Sequence, residues 1–212
     1  MNQISQSNTG NPNPNPKPYW IAVGASAGGL EALKPFLQNF DATSNFYLVI
    51  AQHLGPDKPT QLRDLLSKIT TLNVHLLDHD TKPVVGEVYI ISPGYNATVK
   101  DETLVLTSAS LPRPKPSIDT LFNSLAKDVK NRAIAIVLSG TGSDGSQGVV
   151  SVKSEHGIVI IQDNESAKFS GMPSSASGTE AADLVLSPEK IGQTVSQFVE
   201  APRSEIKLNQ DG

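Results

Sequence analysis

Cysteine is absent from the 212 residues of the sequence. This absence excludes disulfide bonds, a thiol nucleophile and thiolate-bound metal or iron–sulfur sites, so any chemistry must use oxygen or nitrogen groups. Charged residues are also few, at 18%, and the formal net charge is -4. A nucleic-acid-binding protein needs clustered Lys and Arg to displace counterions from phosphates, so nucleic acid is not an expected partner.

Long apolar stretches are missing as well. No run approaches the roughly 18 consecutive apolar residues that span a bilayer, and the N-terminus lacks the basic-then-apolar order of a signal peptide. We therefore predict no membrane insertion and a cytoplasmic location. Hydrophobic residues make up 38% of the chain, which is enough for one globular domain with its own core.

The two ends of the chain differ in composition from its middle. Residues 1–18 are polar and end in alternating Asn and Pro, which favours a disordered or polyproline-like leader. Residues 201–212 are again polar and lack an apolar period, so they are predicted to be a tail or linker. One domain is expected between them, over residues 19–200.

Short apolar runs rich in Val and Ile alternate with segments of helical period, which is typical of a parallel sheet covered by helices. The pattern predicts a three-layer α/β/α sandwich with a mostly parallel, doubly wound sheet and a small antiparallel hairpin. Strands are predicted at 19–25, 46–52, 72–77, 87–91, 133–138, 158–162 and 184–186, and the hairpin at 96–107 with its turn near 100–101. Helices are predicted at 28–39, 60–69, 117–130 with Ser117 as N-cap, 145–155, 172–182 and 188–199.

A serine lies in the segment 24–29, Gly-Ala-Ser-Ala-Gly-Gly, between the first predicted strand and the first helix. The segment matches the Gly-x-Ser-x-Gly nucleophile elbow, in which small residues let the chain turn sharply and expose the serine oxygen. Free N–H groups at the helix N-terminus can stabilise an oxyanion there, so Ser26 is a candidate nucleophile. A phosphate-binding turn or a plain strand–helix connection remains open, although the segment is neither a P-loop nor the dinucleotide pattern.

A serine nucleophile needs a base within hydrogen-bond reach. Among the four histidines, His53 follows the second predicted strand, at the same carboxyl edge of the sheet as Ser26. Ligands collect at that edge in open parallel sheets, so His53 is the candidate base, with a polar loop role as the alternative. Structural roles suffice for His75 in a strand, His79 in a polar turn and His156 at a helix end.

A third polar group follows the strand 133–138, in the glycine-rich loop 139–145. Asp144 in this loop can hold the imidazole of His53 in one tautomer and stabilise the imidazolium. Its alternative role is N-cap of the helix 145–155. The glycines leave backbone donors free near the site, so the Thr141 N–H is a candidate oxyanion contact.

Four ordered motifs resemble those of the chemoreceptor glutamate methylesterase (CheB) catalytic domain: GASAGGLEA at 24–32, QHL at 52–54, GTGSDG at 140–145 and GMP at 171–173. The resemblance covers about 19–200. It implies that Ser26 is the nucleophile, His53 the base and Asp144 the residue that orients His53, in a three-layer α/β sandwich. It also implies hydrolysis of glutamate methyl esters on a methylated chemoreceptor-like protein, with neither a metal nor a cofactor.

Three positions depart from the family pattern. Ala27 stands where chemotaxis members usually have Thr, Thr141 where they often have Met, and Ser174 where a basic residue commonly follows Met-Pro. The first two variants resemble versions fused to a receptor methyltransferase, which implies that this chain is cut from such a protein or is related to one. Ala27 has no hydroxyl to offer an oxyanion but keeps its backbone N–H, so reduced rather than lost activity is expected.

The sequence leaves the mode of regulation and several alternative functions undecided. Family members usually carry an N-terminal receiver domain that covers the site until it is phosphorylated, and only 18 residues precede the first predicted strand. Control is therefore expected from another chain, from removed sequence, or not at all. The rivals are a catalytically idle module of the same fold that docks a receptor or signalling partner, a general small-ester hydrolase or glutamine deamidase, and a phosphate- or nucleotide-binding protein.

Overall fold

The computed structural model describes residues 17–53, 59–108 and 116–201, so the predicted leader and tail lie almost wholly outside the described residues. The strands are β1 (Tyr19–Ala25), β2 (Phe46–Gln52), β3 (Val74–Leu77), β4 (Val88–Ile91), β5 (Tyr95–Lys100), β6 (Thr103–Ser108), β7 (Ala133–Val137), β8 (Ile158–Gln162) and β9 (Leu184–Leu186). The helices are α1 (Gly29–Gln38), α2 (Pro59–Leu66), α3 (Ile118–Val129), α4 (Ser146–Ser154), α5 (Gly171–Ser177) and α6 (Pro188–Glu200), and a 3-10 turn spans Lys130–Arg132.

The central sheet has seven parallel strands in the order β3-β4-β2-β1-β7-β8-β9. Every residue of β1 is buried, as expected for a strand that is covered on both faces. Strands β2 to β4 lie on one side of β1 and strands β7 to β9 on the other. The carboxyl end of β1 is therefore a topological switch point, where open α/β sheets bind their ligands.

Alternate residues of the sheet belong to two separate cores. Trp20 of β1 packs among side chains of α3, α4 and the β5–β6 hairpin. Its neighbour Ile21 faces the other way, among side chains of α1, α2 and α6. Helices thus cover both faces of the sheet, and the predicted three-layer α/β/α sandwich is confirmed.

The predicted antiparallel hairpin is formed by β5 and β6, outside the central sheet. Its two-residue turn is Asp101–Glu102, within one residue of the prediction, and the two residues have φ of 50° and 56°. A type I′ turn requires positive φ at both positions and usually favours Gly or Asn. Here the carboxylate of Asp128 on α3 accepts hydrogen bonds from both turn N–H groups, which stabilises the turn.

The helices agree with the predictions except at the ends of α2 and α5. Helix α2 ends at Leu66, three residues before its predicted end, because the Lys68 and Ile69 N–H groups donate to carbonyls only three residues back, in turns rather than α-helix. The segment 172–182 was predicted to be helical, but α5 ends at Ser177. Glu180 adopts a left-handed conformation with φ of 59°, which ends any helix, and the Asp183 N–H then donates to the Val159 carbonyl as the chain enters β9. At α3 the prediction is confirmed, since the Ser117 hydroxyl caps the helix.

A close contact between α3 and α4 can be tested by substitution. A methyl group at Gly148 would lie 2.5 Å from Cβ of Phe122. We predict that Gly148→Ala lowers the free energy of unfolding by about 1–3 kcal/mol, the usual cost of overpacking, despite the higher helix propensity of Ala. Gly178→Ala is the matched control, because a methyl there meets only contacts at 3.4 and 3.6 Å. Urea denaturation measures both, and a Gly148→Ala protein as stable as the control contradicts this packing.

Candidate active site

Three loops leave the sheet side by side at the switch point, after β1, β2 and β7. Because β1 pairs in parallel with both β2 and β7, the first residues after these strands lie at one level. The ladder continues into the loops: the Ser26 N–H donates to the Ser139 carbonyl at 3.0 Å, and the His53 N–H donates to the Ala25 carbonyl at 2.9 Å. Sheet hydrogen bonds thus hold the backbone of both Ser26 and His53.

The structure brings together the three side chains that the sequence singled out. His53 Nδ1 lies 3.1 Å from Ser26 Oγ, and His53 Nε2 lies 3.0 Å from Asp144 Oδ2. A carboxylate only accepts hydrogen bonds, so Nε2 carries the ring hydrogen and Nδ1 presents its lone pair to the serine hydroxyl. This is the connectivity of a Ser–His–Asp triad, in which the imidazole can take the serine proton.

Asp144 does not cap the helix that follows it. Helix α4 has Gly145 at its N-cap without a side-chain hydrogen bond, so the alternative role considered from the sequence is wrong. The carboxylate instead accepts the N–H groups of Ile118 and Asp119, the first two residues of α3, each at 2.9 Å. Its direction toward the imidazole is therefore fixed by a helix that begins elsewhere in the chain.

The contacts of Asp144 favour its charged form. Burial alone would raise the pKa of Asp144, but hydrogen bonds from His53, Asp119 and Ile118 outweigh burial and hold that pKa below its ordinary value. The dipole of α3 also favours an anion at this end of the helix. An ionised Asp144 can stabilise the imidazolium that forms when His53 takes a proton.

Asp119 binds the first turn of α4, as Asp144 binds the first turn of α3. Its Oδ1 accepts the Gly148 N–H of α4 at 2.7 Å. Asp119 of α3 therefore binds the helix that follows Asp144, while Asp144 binds the Asp119 N–H at the start of α3. Burial raises the pKa of Asp119, and the negative charge of Asp144 raises it further, against the hydrogen bonds from Gly148 and Gly145. Asp119 carries no distinctive signal in the sequence, because an acid in a first helical turn is common for purely local reasons.

Two backbone donors are available for an oxyanion. Within the described ranges, neither the Ala27 N–H nor the Thr141 N–H donates to a protein acceptor. Gly140 brings the loop of Thr141 against the serine, since a methyl at Gly140 would lie 2.9 Å from Ser26 Cβ and 2.2 Å from Met172 Sδ. The Ser26 N–H itself is occupied by the sheet hydrogen bond, so the N–H groups of Ala27 and Thr141 are two of the donors that these loops leave without a protein acceptor.

A cleft of about 430 Å³ opens beside His53 and Asp144. Its remaining wall is formed by the start of α3 and by the loop after β7: Ser117, Asp119, Thr120, Asn123, Thr141, Gly142 and Ser143. In the part of the chain that the structure describes, no group of three or more His, Asp or Glu residues is placed to hold a metal ion. Nor does any described helix combine the length and apolar character needed to cross a membrane.

The remaining histidines are engaged elsewhere. His75 on the edge strand β3 pairs with Glu87 at 2.9 Å, and His79 pairs with Asp78 at 2.6 Å. His156 occupies the left-handed position after α4, with φ of 62°. The ion pairs of His75 and His79 and the backbone position of His156 place all three residues in roles outside the triad.

The low pKa of Asp144 predicts how stability depends on pH. An acid whose pKa is lower in the folded than in the unfolded chain contributes stability that is complete above the unfolded value, about 3.9, and is lost as pH falls through the folded value. We expect Asp144→Asn to reduce the free energy of unfolding at neutral pH, and the difference from wild type to shrink below about pH 4. Urea denaturation over this range measures the effect, and a pH-independent difference contradicts it.

Known proteins are similar to this chain in sequence. The family model for CheB methylesterase matches residues 21–195. A putative protein-glutamate methylesterase/protein-glutamine glutaminase of Leptospira interrogans is 31% identical over 175 residues, which cover 82% of this chain and 91% of that protein. A protein-glutamate methylesterase/protein-glutamine glutaminase of Photorhabdus laumondii is 34% identical over 172 residues, which cover 78% of this chain and 49% of that longer protein.

The fold also has a solved counterpart. The crystal structure of the Thermotoga maritima CheB methylesterase catalytic domain matches with a TM-score of 0.80 and 26% sequence identity, and the match covers 86% of this chain and 99% of that one. The residues matched by the family model include all four of the motifs that suggested the resemblance. Sequence and fold therefore agree that this chain belongs to the CheB methylesterase family.

Proposed function

We propose that this protein is a serine-dependent protein-glutamate methylesterase, which hydrolyses glutamate 5-O-methyl esters on a chemoreceptor-like protein to glutamate and methanol. The observation that carries the proposal is the continuous hydrogen-bonded chain from Ser26 through His53 to Asp144. Membership of the CheB methylesterase family supports it. The names of these two relatives describe the same reaction, together with hydrolysis of protein glutamine.

The first half of the reaction forms an acyl-serine. Ser26 Oγ attacks the ester carbonyl carbon while His53 Nδ1 takes the serine proton, and the Asp144 carboxylate stabilises the imidazolium through Nε2–H. The N–H groups of Ala27 and Thr141 receive the negative oxygen of the tetrahedral intermediate. When the intermediate collapses, the C–O bond to the methoxy group breaks, the imidazolium protonates the departing oxygen, and methanol leaves.

The second half frees the glutamate. His53 takes a proton from a water molecule as that water attacks the acyl carbon, and the same two N–H groups receive the new oxyanion. The bond to Ser26 Oγ then breaks, and the imidazolium returns a proton to the serine. The same groups serve both halves, so the chemistry requires no cofactor. A glutamine side chain entering the same steps would release ammonia in place of methanol, which accounts for a deamidase side activity.

The cleft beside His53 and Asp144 suits a polypeptide substrate whose ester group extends from it toward Ser26. Its volume of about 430 Å³ has room for a methylated glutamate side chain and adjoining backbone, and its polar wall can bind peptide groups. We infer a methylated chemoreceptor or receptor-like partner in chemotaxis-type signal transduction linked to a phosphorelay, in the cytoplasm. Residues 19–200 would form the catalytic domain between a leader and a tail, and a methyltransferase domain in the parent chain stays a prediction.

Removal of the nucleophile tests the function. We expect Ser26→Ala to reduce methanol release from a methylated receptor by on the order of 10³-fold or more while folding is unchanged. Ser67→Ala, a matched change of an exposed serine after α2, should leave the rate at the wild-type level. Gas chromatography of methanol measures the rate, and circular dichroism checks the fold.

The outcome of this assay also separates the rivals. A wild-type protein that binds the receptor but releases no methanol, with or without Ser26, is a docking module rather than an esterase. Turnover of a nitrophenyl ester alone, without the methylated receptor, indicates a general small-ester hydrolase. Saturable protection against thermal unfolding by a nucleotide would instead favour the phosphate-binding alternative.

The alanine at position 27 gives a second test of the oxyanion site. A threonine hydroxyl at this position could add one hydrogen bond to the oxyanion, and losing one such donor elsewhere costs on the order of 10²-fold or more in kcat. We expect Ala27→Thr to raise kcat by a smaller factor, about threefold to tenfold, because two N–H donors are already present. Ala27→Val matches the shape of Thr without the hydroxyl. Equal kcat values for the two variants would show that position 27 contributes no side-chain contact.

A further inference from the structure

A buried amide lies beneath the catalytic loops. Gln52, the last residue of β2, is only 5% exposed. Its Nε2 donates to the Ser26 carbonyl at 2.7 Å and to the His53 carbonyl at 3.1 Å. One side chain therefore binds the backbone of both the serine and the histidine of the triad, although it touches neither reacting group.

Stability alone does not account for a glutamine at this position. The Oε1 of Gln52 is buried and has no hydrogen-bond partner among the described residues, and an unpaired polar atom in the interior costs free energy. The Ser26 carbonyl already accepts the Gly29 N–H at 2.9 Å, so it would keep a partner without Gln52. An apolar side chain of similar size would avoid the unpaired oxygen.

The contact with the Ser26 carbonyl determines where the next N–H points. In a trans peptide the carbonyl and the following N–H point in opposite directions. Gln52 and Gly29 hold the Ser26 carbonyl on the interior side, so the Ala27 N–H points to the other side, where an ester oxygen would lie. A rotation of this peptide would turn the donor away from the oxyanion.

The contact with His53 fixes the base in the same way. The His53 N–H is held by the Ala25 carbonyl and the His53 carbonyl by Gln52, at 2.9 and 3.1 Å. The backbone of the base is thus bound on both sides. Its ring stays at the position from which Nδ1 reaches Ser26 Oγ.

Gly29 makes room for the amide. A methyl at Gly29 would lie 2.2 Å from Gln52 Oε1 and 2.8 Å from Ala25 Cβ. Gly29 is the first residue of α1, where other residues are readily accommodated, so space rather than backbone conformation requires glycine here. Gln52 and Gly29 therefore form a fitted pair under the nucleophile loop.

We propose that Gln52 is a positioning residue of the esterase, which aims the Ala27 N–H at the oxyanion and keeps His53 within reach of Ser26. The inference rests on the proposed function, because it assigns Gln52 a part in that same site. It separates the role of Gln52 from that of Asp144, since Gln52 acts through two backbone carbonyls and not through the imidazole.

Gln52→Met tests the assignment, because Met has a similar length and volume but no hydrogen-bond donor. We expect kcat for the methylated receptor and for a nitrophenyl ester to fall about 10- to 100-fold, with KM within about twofold of wild type, since an oxyanion contact is made only in the transition state. Urea denaturation should give a stability close to that of wild type, because removing the unpaired Oε1 offsets the loss of the hydrogen bond to the His53 carbonyl. Gly29→Ala displaces the amide without removing it and should give the same loss of kcat, whereas Gly178→Ala should be unchanged.

Several outcomes would overturn the assignment. Unchanged kcat for Gln52→Met rules out positioning, and a fall in stability that accompanies equal changes in kcat and KM indicates a structural role only. If wild type hydrolyses the nitrophenyl ester but not the methylated receptor, the proposed function fails and the Gln52 comparison still stands on the small ester. If it hydrolyses neither, the rate at which a phosphonofluoridate labels Ser26 replaces kcat, and equal labelling rates of wild type and Gln52→Met overturn the inference.

Discussion

The parallel pairing of β1 with β2 and with β7 is the constraint on which the site depends. His53 is 27 residues from Ser26 and 91 from Asp144 along the chain, yet all three follow adjacent strand ends. The register is secured because both faces of the sheet are buried, and a slip by one residue would exchange the side chains of the two cores. Hydrophobic burial therefore fixes the strand register, and the register sets the distances between the three strand ends in the site.

Hydrogen bonds from the surrounding helices and strands orient the Asp144 carboxylate and the backbone of Ser26 and His53. Helix α3 presents two N–H groups to Asp144, and Gln52 holds the carbonyls of Ser26 and His53. The partial desolvation of the Asp144 carboxylate is offset because three donors bind it, so the carboxylate can stay charged at this half-buried position. Donors that are already aimed need no reorganisation during the reaction, which is the main source of transition-state stabilisation in sites of this type.

The sheet, its helices and the three triad residues could be predicted because their signals are local: apolar runs, a small-residue turn and polar groups directly after strands. The end of α5 could not, since Glu180 leaves the helical region where the chain turns to pair with β8. The real partners of Asp144 lie 25 and 26 residues away, so a local capping role was the wrong alternative. Gln52 was overlooked because its partners are backbone carbonyls whose positions depend on the sheet register.

The most direct test of the convergence of Ser26, His53 and the two N–H donors is a crystal structure of the protein after reaction with an alkyl phosphonofluoridate, which mimics the tetrahedral intermediate. We expect one covalent bond from phosphorus to Ser26 Oγ, with the phosphoryl oxygen within hydrogen-bond distance of the Ala27 and Thr141 N–H groups. An adduct on another residue, or a phosphoryl oxygen directed away from both N–H groups, would contradict it.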